Sequence, residues 1–237
     1  MKHVTAILLA GGRGSRIRSA VSKPLIKINS QPLIGFSLRT LQAHPQIKDI
    51  IVVVNARNKI GIAGVIEKSR LTKVIHFVEG GKRRQDSVYN ALRFLPEAAD
   101  LVLIHDAARP FVSAKVVVSA IRIANRYGAA IVGVPVKATI KKVRGKGVSD
   151  KGYVVKKTLD RNNLWEIQTP QVFKKEIIVK AYAKFIDLTV TDDAALVEKL
   201  GKRIHVVEGE YSNIKVTTPE DLVLAEAIAR KAISCKP

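Results

Sequence analysis

The chain has 237 residues, of which 47% are hydrophobic, and its 41 lysine and arginine residues against 20 aspartate and glutamate residues give a net charge of +21. This composition predicts one α/β domain over residues 1–237, and no apolar run approaches the roughly 18 residues of a transmembrane helix. The charge favours phosphorylated metabolites over nucleic acid as partners, because the basic residues are dispersed and aromatic residues make up only 5%.

The two ends of the chain predict a cytoplasmic protein. Met1 leads directly into a short apolar strand and a glycine-rich turn, without the small-residue cleavage site of a signal peptide. The single cysteine, Cys235, lies close to the C-terminus and has no internal disulfide partner. A reducing compartment is therefore expected.

Apolar strand-like runs alternate with helix-like segments along most of the chain. The predicted strands are 4–10, 50–54, 74–78, 101–105, 130–134 and 203–207. The predicted helices are 33–43, 58–69, 87–95, 114–127, 174–185, 194–200 and 219–232. Continuous apolar strands between helices indicate a Rossmann-like, mostly parallel sheet flanked by helices on both faces.

The alternation breaks at about residues 138–158, which are rich in lysine and glycine and too poor in apolar residues for a core element. We predict that this segment is a two-stranded β-arm projecting from the sheet. An isolated hairpin is only marginally stable in water, so the arm is expected to rest on a second subunit.

The first candidate site is the glycine-rich turn in LLAGGRGSRIRSAVSKP, residues 8–24. Its glycines, Gly11, Gly12 and Gly14, let backbone N–H groups approach an anion, and Arg16 and Lys23 supply positive charge for phosphate. The turn matches neither the Walker A loop nor the G-x-G-x-x-G fingerprint. It is interpreted as a polyphosphate cradle, and an ordinary turn with solvated arginines is the alternative.

Two further clusters follow predicted strands, at the edge where open α/β sheets bind ligands. In the first, Gly81 and Ser87 are candidates to hold a base or ribose, and Asp86 or Ser87 is the predicted N-cap of the next helix. In the second, HDAARP, Asp106 is placed for Mg²⁺, which takes one or two carboxylates plus substrate phosphates. A structural Asp106–Arg109 pair is the alternative.

Four candidate residues lie in the C-terminal third of the chain. Arg161, which follows the arm, is a candidate clamp for a second phosphate. Asp192 and Asp193 are expected to cap a helix, and Lys215 stands beside a strand before the last helix, where a surface role is the alternative.

The combination of these motifs resembles the 2-C-methyl-D-erythritol 4-phosphate cytidylyltransferase family of the non-mevalonate isoprenoid pathway. The resemblance runs from the glycine-rich turn to the last helix, and HDAARP and QTPQVF are its most specific strings. The other supporting strings are LAGGRGSR, EGGKRRQDSV, PVKATIK, TLDRNNLWEI, TDDAALVE and NIKVTTPEDL.

The resemblance implies a homodimeric enzyme with shared active sites that joins CMP from CTP to a methylerythritol 4-phosphate and releases pyrophosphate. It implies that Arg16 and Lys23 stabilise charge on the α-phosphate and that Asp106 serves a divalent cation. The remaining roles implied are contacts to the sugar phosphate for Arg161, Lys215, Arg109 and Thr139, and positions near the cytidine for Gly81 and Ser87.

Two departures from the family pattern bear on the binding of acceptor and CTP, and the loss of the arm's aspartate bears on the acceptor rather than on the reaction class. The loop lysine is followed by Pro24 instead of glutamine, and the arm has Ala138 where the family has aspartate. The alternatives are a ribitol 5-phosphate cytidylyltransferase, built on the same plan, and a sugar 1-phosphate nucleotidylyltransferase. A basic RNA-binding protein is a remote third alternative, supported by charge alone.

Overall fold

The computed structural model describes residues 2–12, 21–144 and 153–234, and within them the chain forms a large sheet flanked by helices. The strands are β1 (Val4–Leu9), β2 (Lys27–Ile28), β3 (Gln31–Pro32), β4 (Ile47–Val54), β5 (Val74–Glu79), β6 (Leu101–Asp106), β7 (Ala129–Pro135), β8 (Lys141–Arg144), β9 (Val154–Thr158), β10 (Trp165–Lys174) and β11 (His205–Glu208). The helices are α1 (Leu33–Ala43), α2 (Lys59–Lys68), α3 (Arg84–Leu92), α4 (Ala114–Tyr127), α5 (Lys175–Phe185), α6 (Ala194–Lys199) and α7 (Pro219–Ser234).

The central sheet has seven strands in the order β11-β7-β10-β6-β1-β4-β5. The neighbours β5, β4, β1 and β6 run parallel, as do β7 and β11, whereas β10 is antiparallel to both β6 and β7. The mostly parallel, helix-flanked sheet is therefore confirmed. The sequence did not predict β10, because its buried stretch includes the polar residues Gln168, Thr169 and Gln171.

Two hydrophobic layers cover the sheet. One face packs against α1, α2 and α4, with Leu38 and Val117 fully buried. The other packs against α3, α5 and α6, with Val88 and Ile178 fully buried. No helix within the described ranges combines the length and hydropathy that crossing a bilayer requires. Burial on both faces fixes the ends of the strands, where the candidate residues lie.

Helix α3 begins earlier than predicted, and its N-cap is neither Asp86 nor Ser87. Arg83 occupies the N-cap position, and its backbone N–H donates to the Asp86 carboxylate at 2.9 Å. Asp86 therefore stabilises the helix from its third position, as the acidic partner in a capping box does. By contrast, α1 and α4 have the predicted bounds, and α7 begins at the predicted Pro219.

The predicted arm is present as a separate two-stranded antiparallel sheet formed by β8 and β9. Every residue of both strands is exposed, including Val143, Val154 and Val155 at 45%, 64% and 56%. The residues between the strands, 145–152, lie outside the described residues. The paired strands have no buried face of their own, so packing within the arm contributes little to its stability.

Candidate active site

The carboxyl ends of four neighbouring parallel strands bring the glycine-rich segments and Asp106 to one edge of the sheet. Leu9, the last residue of β1, stands opposite Asp106 of β6, and the N–H of Ala107 donates to the Leu9 carbonyl at 3.0 Å. The N–H of Gly80 donates to the carbonyl of Val54, which ends β4, at 2.8 Å. This is the edge at which open α/β sheets bind ligands.

The first glycine-rich turn starts in close contact with the second. A Cβ on Gly11 would lie 3.2 Å from the Val54 carbonyl oxygen and 3.5 Å from the Cα of Gly80, so a side chain there would crowd both backbones. Among the described residues, nothing lies within 4 Å of where a Cβ on Gly12 would be. Asn55 donates to the Gly11 carbonyl at 2.9 Å, which fixes the exit from β1. Gly14 and Arg16 lie within residues 13–20, outside the described residues.

Gly81 and Ser87 are joined directly. The Gly81 N–H donates to Ser87 Oγ at 3.0 Å, and the Ser87 hydroxyl donates to the Arg83 carbonyl at 3.2 Å. A Cβ on Gly81 would overlap the Cβ of Asp86. The absent side chain therefore lets the loop fold tightly onto the first turn of α3.

The family resemblance implies that this loop lies near the cytidine of CTP. On that expectation, Gly81→Ala should raise the KM for CTP by about 10-fold while kcat changes less, because the loop must open to relieve the overlap with Asp86. Steady-state kinetics with varied CTP measure the effect. Gly64→Ala is the matched control, because a Cβ at Gly64 meets no atom of the described part of the chain within 4 Å. An unchanged KM in the Gly81 variant would show that the loop does not contact the nucleotide.

Asp106 lies between two cations. Its two carboxylate oxygens are 2.6 Å from Lys215 Nζ and 3.1 Å from Arg84 Nε. Burial alone would raise the pKa of Asp106, but the charges of Arg84 and Lys215 outweigh burial and hold that pKa well below its usual range. The carboxylate is therefore ionised at neutral pH.

The Asp106–Arg109 pair proposed as the structural alternative does not form, and Arg109 has different partners. Its guanidinium donates to the carbonyls of Asn213 at 2.8 Å and Ile167 at 3.3 Å. Arg109 is only 7% exposed, and its Nε is buried without a hydrogen-bond partner in the described part of the chain. In this arrangement Arg109 holds together the segments that carry β10 and Lys215.

Asp193 occupies the predicted N-cap position of α6, but its side chain makes no capping hydrogen bond and is instead a buried ion-pair partner. Its carboxylate is fully buried, lies 2.9 Å from Arg84 Nη1, and accepts a hydrogen bond of 2.5 Å from the Tyr182 hydroxyl. Burial, and then the negative charge of Asp193, raise the pKa of Tyr182. Asp192 provides the cap instead, since its Oδ1 accepts from the N–H of Ala195 at 3.1 Å.

A buried histidine orders the backbone that carries Asp106. The Asp106 N–H donates to Thr169 Oγ1 at 3.1 Å, and this hydroxyl lies 2.9 Å from His105 Nδ1. His105 Nε2 is 3.0 Å from the Arg109 carbonyl oxygen, which only an N–H can satisfy. His105 is therefore neutral, with its proton on Nε2, and burial lowers its pKa to about 4.

The neutral state of His105 predicts a loss of stability in acid. The unfolded chain takes up a proton at this residue below its ordinary pKa of 6.5, whereas the folded chain does so only near pH 4. The free energy of unfolding should therefore fall by up to about 3 kcal/mol from this residue between those pH values. Denaturant titrations between pH 7 and 4.5, carried out in the presence of EDTA, measure this fall in the free energy of unfolding.

His105→Gln is the comparison for this effect. Glutamine keeps a donor for the Arg109 carbonyl but has no titrating group, so its stability should fall less steeply over the same pH range. Equal slopes for the wild type and the variant would show that His105 does not titrate differently on folding.

A divalent cation fits Asp106 only together with further oxygen ligands. No group of three or more acidic, histidine or cysteine side chains with metal-binding geometry occurs within the described residues. Asp106 supplies an ionised oxygen ligand, but the positive charges of Lys215 and Arg84 already neutralise its negative charge. The residues present fit a Mg²⁺ ion whose other ligands come from a polyphosphate and water.

The other predicted site residues lie just after residues 13–20 and at the base of the arm. Lys23 begins a short 3-10 turn, Lys23–Leu25, that follows residues 13–20. Thr139 is exposed beside β8, and the Arg161 guanidinium donates to the Lys137 carbonyl across the base of the arm. The structure thus joins Asp106 to Lys215 and Gly81 to Ser87, whereas Arg161 and Thr139 lie at the base of the arm.

Sequence reasoning missed Arg84 and the ion-pairing role of Asp193. Arg84 stands in KRRQDS, where three consecutive basic residues are typical of a solvated surface. Its partners are 22 and 109 residues away along the chain, so no local spacing connects them. The one available signal was the placement of Asp193 directly before an apolar helix, and that signal is also typical of a cap.

Comparison with known proteins gives one consistent result. The sequence profile of the 2-C-methyl-D-erythritol 4-phosphate cytidylyltransferase family matches residues 4–231. A relative of that name from Caldanaerobacter subterraneus subsp. tengcongensis is 42% identical over 232 residues, covering 97% of this chain and 100% of the relative. A second, from Syntrophus aciditrophicus, is 44% identical over 231 residues, covering 96% of both.

Solved structures agree with the sequence relatives. The 4-diphosphocytidyl-2C-methyl-D-erythritol synthase of Anaerococcus prevotii superposes with a TM-score of 0.83 at 32% identity, over 97% of this chain and 96% of that one. The 2-C-methyl-D-erythritol 4-phosphate cytidylyltransferase of Thermus thermophilus gives a TM-score of 0.77 at 30% identity, over 97% of this chain and all of that one.

Proposed function

Because the chain belongs to the 2-C-methyl-D-erythritol 4-phosphate cytidylyltransferase family, we propose that the edge of the sheet around Asp106 is its active site. The protein is a nucleotidyltransferase: it transfers CMP from CTP to 2-C-methyl-D-erythritol 4-phosphate and releases pyrophosphate, a step of isoprenoid precursor synthesis. Ribitol 5-phosphate is not favoured as acceptor, because the profile and the relatives are named for methylerythritol 4-phosphate.

One observation carries the assignment of the site. Two glycine-rich segments and an ionised aspartate flanked by two cations converge where four parallel strands end. Glycine backbones accommodate a nucleotide at close range, and a cluster of cations accommodates its phosphates. These are the parts that a nucleotidyl transfer requires.

The chemistry explains why the site is cationic. A phosphate oxygen of the acceptor forms a bond to the α-phosphorus of CTP, and the bond from that phosphorus to the oxygen bridging the α- and β-phosphates breaks, so that pyrophosphate leaves. Both reactants are anions that repel each other, and catalysis depends on positioning and on charge stabilisation. In the proposal, Arg16 and Lys23 stabilise the α-phosphate, and Lys215, Arg161, Arg109 and Thr139 hold the acceptor phosphate.

Asp106 is the proposed ligand of a Mg²⁺ ion that arrives with the triphosphate. The bound ion would neutralise phosphate charge and orient the triphosphate. Gly11, Gly12, Gly14, Gly81 and Ser87 are proposed to bind the nucleotide, the last two through the loop that they hold closed.

The proposal extends to assembly and compartment. The arm exposes valines on both strands while carrying Thr139 and Arg161 near its base, so we propose a homodimer in which each arm reaches the partner's site. The proposed compartment is the cytoplasm, where CTP is available.

An isotope experiment tests the transfer. With CTP labelled at the α-phosphorus, Mg²⁺ and methylerythritol 4-phosphate, the label should appear in a new cytidine-containing diphosphate ester. With the label at the γ-phosphorus it should appear in pyrophosphate. Transfer of the γ-label to the acceptor would indicate a kinase and overturn the proposal.

A further inference from the structure

Arg84 bridges two carboxylates that belong to different parts of the fold. Its Nε lies 3.1 Å from Asp106 Oδ1, at the end of β6, and its Nη1 lies 2.9 Å from Asp193 Oδ2, at the start of α6. Arg84 is itself the first residue of α3. One guanidinium therefore joins β6, α3 and α6 beside the proposed triphosphate position.

Asp193 is an unusual anchor, because it is fully buried and yet takes no part in the proposed chemistry. The Tyr182 hydroxyl binds its other oxygen at 2.5 Å, and Tyr182 is only 1% exposed. A buried carboxylate destabilises the folded state unless it is paired, so Arg84 has a structural role as the cation that pairs with Asp193. The contact to Asp106 is additional to that role and needs its own explanation.

We propose that Arg84 is a positioning residue for the transfer reaction: anchored on Asp193, its guanidinium fixes the orientation of the Asp106 carboxylate toward the triphosphate. This inference rests on the proposed function, because Asp106 matters only if it serves the nucleotide and its cation. The planar fork of arginine holds two carboxylates in fixed directions, which the compact ammonium of lysine does not.

The two cations that contact Asp106 have different roles, because their side chains differ in solvent exposure. The Lys215 side chain is 41% exposed and meets Oδ2 from the solvent side, whereas Arg84, at 29%, meets Oδ1 from the side of Asp193. Lys215 can therefore exchange Asp106 for a substrate phosphate. Arg84 keeps its anchor on Asp193 while that exchange takes place.

Three variants separate positioning from structural pairing: Arg84→Gln, Asp193→Asn and the double variant Arg84→Gln/Asp193→Asn. The first leaves a buried carboxylate without its cation and should lower Tm. The double variant removes both charges, while the new amide oxygen still accepts from the Tyr182 hydroxyl, so its Tm should return close to that of the wild type. Arg93→Gln, at the exposed C-terminal end of α3, is the control for loss of one positive charge and should match the wild type.

The proposal predicts that kcat of the double variant stays about 10- to 100-fold below wild type although Tm has recovered, as for loss of other groups that orient a carboxylate ligand. The dissociation constant of CTP, measured calorimetrically with Mg²⁺ and without acceptor, should rise, whereas the KM for the acceptor should change little. A double variant with recovered Tm, wild-type kcat and wild-type CTP affinity would overturn the proposal.

Arg84→Lys provides an independent second variant. Lysine retains the charge near Asp193 but loses the fork, so Tm should be close to wild type while kcat is lowered by about 10-fold. Wild-type kcat in this variant would contradict a positioning role. Asp106→Asn, assayed in the same series, distinguishes failures: an unimpaired Asp106→Asn enzyme contradicts the proposed function, whereas an impaired one alongside active Arg84 variants contradicts only the role of Arg84.

Discussion

Replacing Lys23 with alanine is expected to lower kcat by about 100-fold or more, the cost of removing a preorganised group that stabilises charge in a transition state. Lys23 begins the 3-10 turn after the glycine-rich segment, and Pro24 behind it is buried, so the backbone that carries the lysine is fixed. The dissociation constant of CTP should rise much less, because the charge on the α-phosphate peaks as the new bond forms.

Single-turnover kinetics separate these two effects for the Lys23 variant. Lys27→Ala is the matched control, an exposed lysine four positions further along that the site does not include, and its kcat should stay within about twofold of wild type. If Lys23→Ala turns over within about threefold of wild type, the lysine does not stabilise the transition state.

Mixing two nearly inactive variants should restore activity if the sites are shared between subunits. In a homodimer whose site combines Lys23 of one chain with Arg161 of the other, a mixed dimer of Lys23→Ala and Arg161→Ala chains keeps one site with both residues. Random exchange should then restore about one quarter of wild-type activity, since half of the dimers are mixed and each has one intact site.

A second mixture controls the complementation. In the proposed dimer only the arm, with Thr139 and Arg161 near its base, crosses to the partner, so Lys23 and Lys215 act in the same chain. Mixing Lys23→Ala with Lys215→Ala then leaves no site intact and should restore nothing. Subunit exchange is verified with differently tagged chains. Demonstrated exchange without recovery in the Lys23 and Arg161 mixture would place both residues in one chain's site.

The strongly periodic parts of the fold could be predicted from sequence. Helix α4 has its apolar residues on one face, Ser113 as a side-chain cap and Gly128 as its C-cap, and its predicted bounds agree with the structure. The buried strands β1 and β6 were recognisable because their apolar runs suit a sheet covered on both faces.

The strand β10 was missed because long-range hydrogen bonds, rather than apolar side chains, make its burial favourable. Gln168, Thr169 and Gln171 are all buried, and their partners include the backbone of Glu210, the backbone of Asp106 and the side chain of Asp192. Hydrophobic periodicity cannot detect a strand of this kind. A polar run in such a strand resembles a loop until its partners are known.

The candidate site was predictable in its residue types but not in its pairings. The sequence indicated that Asp106 and Lys215 bear on one reaction, and the structure places them in contact at 2.6 Å. The partners of Asp106 and Asp193 could not be predicted, because a guanidinium from a third segment joins them. Pairing of this kind depends on topology, because the three segments come together only when the whole chain has folded.

A comparison of two acceptors tests the central claim most directly. With saturating CTP and Mg²⁺, pyrophosphate release is measured over a range of 2-C-methyl-D-erythritol 4-phosphate concentrations and, separately, of ribitol 5-phosphate. A site built to hydrogen-bond one polyol should discriminate by at least about 100-fold, so kcat/KM should be higher by that factor for methylerythritol phosphate. An equal or higher kcat/KM for ribitol 5-phosphate would contradict the assigned function.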